Sequence, residues 1–168
     1  MNLLVVRHAI AMDKDVFAQS GKSDDLRPLT EAGTKKMRAI ARGLRSQVPK
    51  LNHLASSPLT RSVETAAILA KSYGFAEPEL TTTLSPEAAF EGFEAWCKTH
   101  EALRAIAIVG HEPHLSSLVT WLMAGPHDSR LQLKKGGACL LEFDAAPRRD
   151  SGTLLWLLTP RQLRALGA

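Results

Sequence analysis

The stretch Leu3-Leu4-Val5-Val6-Arg7-His8 places four apolar residues directly before a cation and an imidazole. A short, unbroken apolar run with two β-branched residues is typical of a strand that is covered on both faces, as in a parallel sheet. In open α/β sheets, ligands bind just beyond the carboxyl ends of such strands. The stretch therefore predicts an α/β fold with a binding or reaction site at Arg7 and His8.

The length and composition are those of one ordinary globular domain. A chain of 168 residues can bury a substantial core without disulfide or metal support, so we expect a single domain over residues 1–168. Its 45% hydrophobic and 23% charged residues exclude the disordered, collagen-like and membrane-spanning classes. The N-terminal apolar run is cut at Arg7, which makes it too short for an export signal. We expect a cytoplasmic protein.

Charge and cysteine content constrain the partners. The formal net charge of +4 comes from scattered basic residues rather than a basic block with interleaved aromatics, so we expect no nucleic-acid binding. A mildly basic domain favours anionic partners such as phosphate groups or acidic proteins. Cys97 and Cys139 form neither a metal-binding spacing nor a disulfide framework, and buried thiols are expected rather than a redox pair. We expect no membrane association and a monomer.

Hydrophobic periodicity and capping residues divide the chain into alternating strands and helices. Thr30 is a predicted helix N-cap, and Ser56-Ser57-Pro58 supplies a cap followed by a proline at the first helical position. Residues 9–29 lack periodicity, which predicts a loop with at most a short helical turn. The predicted strands are 3–6, 51–55, 105–109, 137–143 and 153–158, and the predicted helices are 30–47, 58–73, 87–100, 113 onward and 160–166. This alternation favours a three-layer α/β/α sandwich with a mostly parallel central sheet.

Three of the predicted strands end in residues that suit an anion. Arg7-His8 follows the first strand, Arg61 lies in the helix start after the second, and Gly110-His111 follows the third. Helix starts add unpaired backbone N–H groups and the positive end of the helix dipole. Arginine contributes bidentate, charge-assisted hydrogen bonds to phosphate oxygens. Two arginines, two histidines and two helix N-termini therefore predict a phosphate pocket.

These motifs resemble the histidine phosphatase superfamily, also called phosphoglycerate mutase-like, over most of the chain. The family's Arg-His-Gly signature stands here as Arg7-His8-Ala9, so alanine replaces glycine and must adopt a backbone conformation that it tolerates. The signature Ser-Ser-Pro-x-x-Arg-x-x-x-Thr-Ala is intact over residues 56–66 and is the most specific segment. Val109-Gly110-His111-Glu112-Pro113 and residues 26–30, Leu-Arg-Pro-Leu-Thr, resemble the small SixA branch of protein phosphohistidine phosphatases.

The resemblance implies that His8 is a nucleophile that becomes transiently phosphorylated. It also implies that Arg7, Arg61 and His111 bind the phosphoryl group and stabilise its charge during transfer. A histidine nucleophile must be neutral, and neighbouring arginines favour that form by penalising a second positive charge. Such a transfer needs positioning and electrostatic stabilisation more than a metal, so we expect no metal and no cofactor.

Two further residues are candidates for the site. Arg27 lies in the loop over the first strand's end and contacts phosphate or substrate if its side chain faces inward. Glu87 is the candidate general acid, although no familiar acid motif surrounds it, and its alternative is a first-turn residue of the 87–100 helix. His111 and His114 could form a metal-binding pair, but no supporting motif accompanies them. His114 is instead expected at the surface or pocket rim, and His53, His100 and His127 at the surface.

The missing acid motif bears on the substrate. Phosphohistidine expels an imidazole, whose conjugate acid has a pKa of about 6.5, and so demands less of a general acid than a phosphate ester. The chain also lacks long insertions that could build a lid over a small metabolite. We therefore expect a phosphatase acting on phosphohistidine in a protein, such as a histidine-containing phosphotransfer domain. The alternatives are a phosphatase of small phosphate esters or sugar phosphates with the same residues, and a non-catalytic phosphate-binding module.

Overall fold

Six strands and six helices make up the computed structural model, which describes residues 1–168. The strands are β1 (Asn2–Arg7), β2 (His53–Ser56), β3 (Glu79–Leu80), β4 (Ala105–Gly110), β5 (Ala138–Glu142) and β6 (Thr153–Leu158). The helices are α1 (Lys14–Ala18), α2 (Glu31–Gln47), α3 (Thr60–Tyr73), α4 (Phe90–Thr99), α5 (His114–Ala124) and α6 (Pro160–Leu166). Short 3-10 turns lie at Asp24–Leu26 and Thr82–Leu84.

The strands form one mixed sheet in the order β3-β2-β4-β1-β5-β6. The pairs β3/β2, β2/β4 and β4/β1 are parallel, whereas β5 and β6 add two antiparallel strands at the other edge. Arg7 pairs in register with Gly110, and Ser56 pairs with Val109. The carboxyl ends of β1, β2 and β4 therefore meet at the same edge of the sheet, where the three motifs converge.

Apolar side chains alternate between the two faces of the sheet, and each face carries helices. Leu4 and Val6 of β1 pack on one side, and Leu3 and Val5 pack on the other. The first side is covered by α2, α3 and α6, and the second by α4 and α5. The expected α/β/α sandwich with a mostly parallel sheet is confirmed.

Two helix starts differ from the predicted ones by two residues or more, and one strand was not predicted. The Ser57 amide still donates to the Val109 carbonyl at 3.0 Å, so the chain stays bonded to the sheet and α3 begins at Thr60 rather than Pro58. Residues 85–88 form a turn closed by the Ala88 amide on the Ser85 carbonyl at 3.1 Å, so α4 begins at Phe90 rather than Glu87. The unpredicted strand, β3, is only two residues long.

The remaining composition-based expectations concern cysteines and membranes. Cys97 and Cys139 are both buried free thiols in the same core, as expected. No helix has the combination of length and apolar character that crossing a bilayer requires.

The loop after β1 is held against α2 by close backbone contacts. The Thr30 amide donates to the Ile10 carbonyl at 2.9 Å, and Ala11 forms an antiparallel bridge with Leu29. A Cβ on Gly33 would lie 2.1 Å from the Ile10 carbonyl oxygen, so only glycine permits this approach. These contacts fix the segment that continues directly from His8.

Candidate functional site

His8 is buried at the carboxyl end of β1, with 5% of its surface exposed. Its Nδ1 lies 2.7 Å from the Ala9 carbonyl oxygen, and because a carbonyl only accepts, Nδ1 carries the proton and Nε2 the free electron pair. Burial lowers the pKa of His8 to about 4, the Ala9 hydrogen bond opposes this, and the charges of Arg61 and Arg7 lower it further. The ring is therefore neutral at pH 7 and has a nucleophilic nitrogen available.

Ala9 occupies the position of the signature glycine without strain. Asp150 is the one residue other than glycine with a positive φ, so Ala9 has an ordinary backbone conformation. The Ala9 amide donates to Thr65 Oγ1 at 3.0 Å, and that hydroxyl donates to the Arg61 carbonyl at 2.7 Å. The threonine of the intact signature thus connects the two arginine-bearing segments.

His111 lies beside His8 at the carboxyl end of β4, with the ring centroids 5.2 Å apart. Its Nε2 is 2.8 Å from Ser57 Oγ and 3.2 Å from Ser62 Oγ. Burial, followed by the neighbouring His8 and Arg61, lowers the pKa of His111 to about 3, so the ring is neutral. With a serine hydroxyl donating to Nε2, the proton sits on Nδ1, which is buried and has no hydrogen-bond partner.

Arg7 and Arg61 are each held by one guanidinium nitrogen. Arg7 Nη1 donates to the Leu133 carbonyl at 2.7 Å, and Arg61 Nη1 donates to the Asp24 carbonyl at 2.9 Å. Burial lowers the pKa of both arginines, and this is opposed by Glu112 at Arg7 and by Asp24 at Arg61. The Nε–H group of each is buried without a partner. Both side chains are therefore anchored while keeping a donor free.

The arrangement provides donors for an anion next to a nucleophile. Three buried N–H groups, on Arg7 Nε, Arg61 Nε and His111 Nδ1, have no hydrogen-bond partner. An unsatisfied buried donor is costly in a folded protein, so three of them around one imidazole indicate a ligand that accepts from all of them. A tetrahedral oxyanion such as a phosphoryl group meets that requirement.

The two helix N-termini differ in their availability to an anion. The N-cap of α3, Leu59, makes no side-chain hydrogen bond, so its first-turn amides are free of a cap. At α5, in contrast, the Glu112 carboxylate accepts from the Ser116 amide at 3.2 Å and from its hydroxyl. The Glu112 carboxylate therefore already accepts from the first turn of α5, which makes this helix start less available to an anion.

Arg27 reaches the site through Asp24, a residue that the motifs did not identify. Arg27 Nε donates to Asp24 Oδ1 at 2.7 Å and Nη1 donates to the Met12 carbonyl at 2.7 Å. The other carboxylate oxygen of Asp24 lies 3.2 Å from Arg61 Nη1. The hydrogen bond from Arg27, supported by the Arg61 charge, lowers the pKa of Asp24. The sequence does contain a sign of the turn at Asp24, because Ser23 is a suitable N-cap and two acidic residues follow it. That pattern does not predict that Asp24 contacts Arg61.

Glu87 is an exposed turn residue whose side chain makes no hydrogen bond or ion pair, and it is not in a helix.

His114 is not at the surface as expected, because it is 5% exposed and its Nε2 contacts the Ala88 carbonyl at 3.1 Å. Glu64 accepts from the Leu29 amide at 2.7 Å and thus supports the loop after β1. Of the candidates, the structure brings together four residues: His8, Arg7, Arg61 and His111. Arg27 contacts this group only through Asp24.

The fold and sequence are similar to those of known proteins. The chain is 32% identical to an uncharacterized protein of Picosynechococcus sp., across 95% of this chain and 96% of that one. The structure of the protein histidine phosphatase SixA complexed with tungstate superposes with a TM-score of 0.81 at 21% identity, covering 97% of this chain and 99% of that one. A mutant phosphoserine phosphatase from Entamoeba histolytica, in complex with phosphoserine, superposes with a TM-score of 0.69 at 16% identity, covering 96% and 98%.

The similarity to these solved structures establishes the phosphoglycerate mutase-like fold. A family model matches residues 3–92, more than half of the chain, and this segment contains both the Arg7-His8 and the Arg61 motifs. The chain therefore belongs to the histidine phosphatase superfamily, branch 1, and is a phosphatase.

Proposed function

We propose that the protein hydrolyses phosphohistidine on another protein through a phosphohistidine intermediate on His8. The observation that carries this proposal is the set of three unpartnered buried donors, Arg7 Nε, Arg61 Nε and His111 Nδ1, around a neutral imidazole. Neither a metal nor an organic cofactor is needed for this chemistry.

In the first step, His8 Nε2 attacks the phosphorus atom and a new P–N bond forms. The P–N bond to the substrate histidine breaks at the opposite side. The other ring nitrogen of that histidine carries a proton, so the substrate leaves with the electron pair as a neutral imidazole. Arg7, Arg61 and the His111 Nδ1–H group donate to the phosphoryl oxygens, where negative charge is concentrated. The Ala9 carbonyl holds the Nδ1 proton of His8, so the ring becomes a phosphoimidazole that is stabilised as a cation.

In the second step, water attacks the phosphorus atom of the His8 intermediate. The P–N bond breaks, His8 Nε2 recovers its electron pair, and the proton lost by water leaves with inorganic phosphate. His8 returns to the neutral tautomer that its hydrogen bond to Ala9 favours. The enzyme is thereby restored with no net change in its proton content.

The leaving group supports phosphohistidine as the substrate. An alkoxide needs protonation as it leaves, whereas the conjugate acid of imidazole has a pKa of about 6.5. Glu87 stays our proposed general acid, but its side chain is exposed and makes no hydrogen bond or ion pair. A site with so little provision for a buried acid suits a phosphoramidate better than an ester.

The surface next to the site supports a macromolecular substrate. Val16 in α1 and Leu26 in the neighbouring 3-10 turn are 55% and 57% exposed, and Leu26 is two residues from Asp24. The same loop carries exposed residues of both charges, Lys14 and Lys22 beside Asp13, Asp15 and Asp25. Exposed apolar side chains among charged residues are typical of a protein contact surface.

The experiment that tests this proposal compares two substrate classes under the same conditions. We expect kcat/KM for a phosphorylated histidine-containing phosphotransfer domain to exceed that for phosphoserine and a small aryl phosphate by at least about tenfold, or about 1.4 kcal/mol in transition-state free energy. His8→Ala should abolish turnover of both classes, and the exposed control His127→Ala should leave both rates unchanged.

A phosphatase of small phosphate esters is the second candidate, because the phosphoserine phosphatase with the same fold shows that this architecture accommodates a small ester. A preference for esters of about tenfold or more would favour it. If neither class were hydrolysed while phosphate still bound, the non-catalytic alternative would hold instead.

A further inference from the structure

Three potential metal ligands meet at the edge of the sheet that is remote from His8. His53 begins β2, Glu79 begins β3 and His100 follows α4. We name these three residues the edge cluster. His53 lies four residues before Ser57, or about 13 Å along the strand, so the edge cluster is separate from the phosphate-binding residues. His53 and His100 were expected at the surface, but both are partly buried and contact Glu79.

The ligand atoms of the edge cluster lie close together. His53 Nε2 is 2.7 Å from Glu79 Oε2, His100 Nε2 is 3.5 Å from the same oxygen, and all three atoms lie within 4.8 Å of one another. Tetrahedral Zn²⁺ with bonds of about 2.0–2.1 Å separates its ligand atoms by about 3.3 Å. Small side-chain rotations therefore suffice to place a metal between them.

Trp96 holds two of the ligands by the atoms that would not bind the metal, Glu79 Oε1 and His100 Nδ1. Its indole Nε1–H donates to Glu79 Oε1 at 2.7 Å, which leaves Oε2 for a metal. Its backbone carbonyl lies 3.0 Å from His100 Nδ1, and since a carbonyl only accepts, the proton sits on Nδ1 and the Nε2 electron pair is free. Metal-binding histidines and carboxylates in proteins are held by such outer hydrogen bonds.

We propose that His53 Nε2, Glu79 Oε2 and His100 Nε2 bind a Zn²⁺ ion. The metal takes the place of the proton between His53 Nε2 and Glu79 Oε2, and His53 binds it as a neutral imidazole whose proton is on Nδ1. Water occupies the fourth coordination position. The side chains are 26%, 36% and 20% exposed, so an ion can enter from solvent. The ion would join β2, β3 and the end of α4, three segments that are far apart in sequence.

The ligand chemistry selects the ion class. Two imidazoles and one carboxylate suit Zn²⁺ and similar borderline metals, whereas Mg²⁺ requires oxygen ligands in an octahedral arrangement. This inference concerns a site outside the reaction and does not depend on the proposed substrate. The sequence led us to expect no metal because the reaction at His8 needs none. The proposed ion revises that expectation at the edge cluster alone.

Calorimetric titration of tag-free protein with Zn²⁺ tests the proposal. We expect one Zn²⁺ per chain, no heat from Mg²⁺, and binding at least about tenfold weaker in His53→Ala, His100→Ala and Glu79→Gln. Glu79→Gln preserves an acceptor for Trp96, so it removes a ligand with little change in packing. Trp96→Phe keeps all three ligands and should weaken binding about 10–100-fold by releasing Glu79 and His100.

Two matched controls and two further measurements complete the experiment. His127→Ala removes an exposed histidine elsewhere, and His8→Ala removes one from the phosphate site, and both should bind Zn²⁺ like the wild type. Zn²⁺ should raise the Tm of these controls but not of His100→Ala. Co²⁺ should give the visible absorption spectrum of a tetrahedral site in the wild type. This measurement needs no variant, so it tests the proposal even if the ligand variants fail to fold. Absent Zn²⁺ binding, or Zn²⁺ binding that is unchanged in all three ligand variants, would overturn the proposal.

Discussion

At the scale of single residues, the neutrality of His8 and His111 follows from their burial. Each ring is nearly inaccessible to water, and each has arginine nearby, so protonation would place a second positive charge in a poorly solvated site. One hydrogen bond per ring then selects the tautomer, Ala9 for His8 and Ser57 for His111. The pair thus offers one electron pair and one N–H group to the same phosphoryl group.

This neutrality predicts how stability depends on pH. Unfolded histidine has a pKa of about 6.5, and the folded values are about 4 and about 3, so acid protonates the unfolded chain first. The stabilisation is fully present above pH 6.5 and is lost as the pH falls toward the folded values. From pH 7 to pH 5, the preferential protonation of each ring in the unfolded chain should lower the free energy of unfolding by about 2 kcal/mol.

Urea unfolding at pH 7 and pH 5 measures this effect. Because His8→Ala lacks one of the buried titrating rings, its loss of stability over this range should be smaller than that of the wild type by about 2 kcal/mol. An equal loss in both proteins would show that His8 does not have the lowered pKa.

Residue-level prediction succeeded where a motif was present and failed where contacts are distant in sequence. His8, Arg61 and His111 could be grouped because each follows a recognisable buried strand. The Asp24 contact with Arg61 spans 37 residues and depends on how the loop after β1 folds back. No local pattern reports such a contact, and the same holds for the edge cluster.

At the scale of elements, α2 is positioned by glycines at its buried face. A Cβ on Gly43 would lie 1.9 Å from the Leu163 carbonyl oxygen of α6, and one on Gly33 would meet Ile10. Helix propensity alone disfavours glycine in a helix, so these positions are explained by close approach rather than by local preference. Through Gly33, α2 also supports the loop that carries Asp24.

Glycine-to-alanine substitutions at two helical positions should have opposite effects. Gly43→Ala should destabilise the fold by about 1–3 kcal/mol, because α6 must move away. Gly92→Ala, at an exposed position of α4 with no atom closer than 3.7 Å to the added Cβ, should stabilise it by about 0.5–1 kcal/mol. Chemical denaturation measures both, and a stabilised Gly43→Ala would contradict the packing argument.

Elements with a strong periodic pattern were predicted well, whereas their boundaries depended on tertiary contacts. The N-cap Thr30 and the apolar spacing after it identified α2 correctly. Pro58 favours a helix start, but the bond from Ser57 to Val109 keeps the chain in the sheet for two more residues. The two-residue β3 has too few positions to show any period, and it forms because β2 offers a free edge.

At the scale of the whole molecule, the site is assembled from distant segments by the sheet. Three parallel strands deliver Arg7-His8, Ser57 and His111 to one edge, and the Asp24 loop closes on them. The strand-end rule together with the family motifs therefore predicted the central residues, while the loop geometry required the folded structure. An anion that binds these segments stabilises only the folded state.

Inorganic phosphate or tungstate should therefore raise the Tm. At a concentration of 100 times Kd, the added stability is about 2.7 kcal/mol, which corresponds to a Tm increase of about 5–10 °C for a chain of this size. Differential scanning calorimetry measures the increase, and Arg61→Ala should lose most of it. An increase of the same size in Arg61→Ala would place the anion elsewhere.

The most direct test of the central claim is to locate the phosphoryl group during turnover. Rapid mixing with a phosphohistidine protein, quenching in alkali and mass spectrometry of the peptides should find one phosphoryl group on His8. The modification should disappear on acid treatment and be absent from His8→Ala. A phosphoryl group on another residue, or full turnover by His8→Ala, would contradict the account.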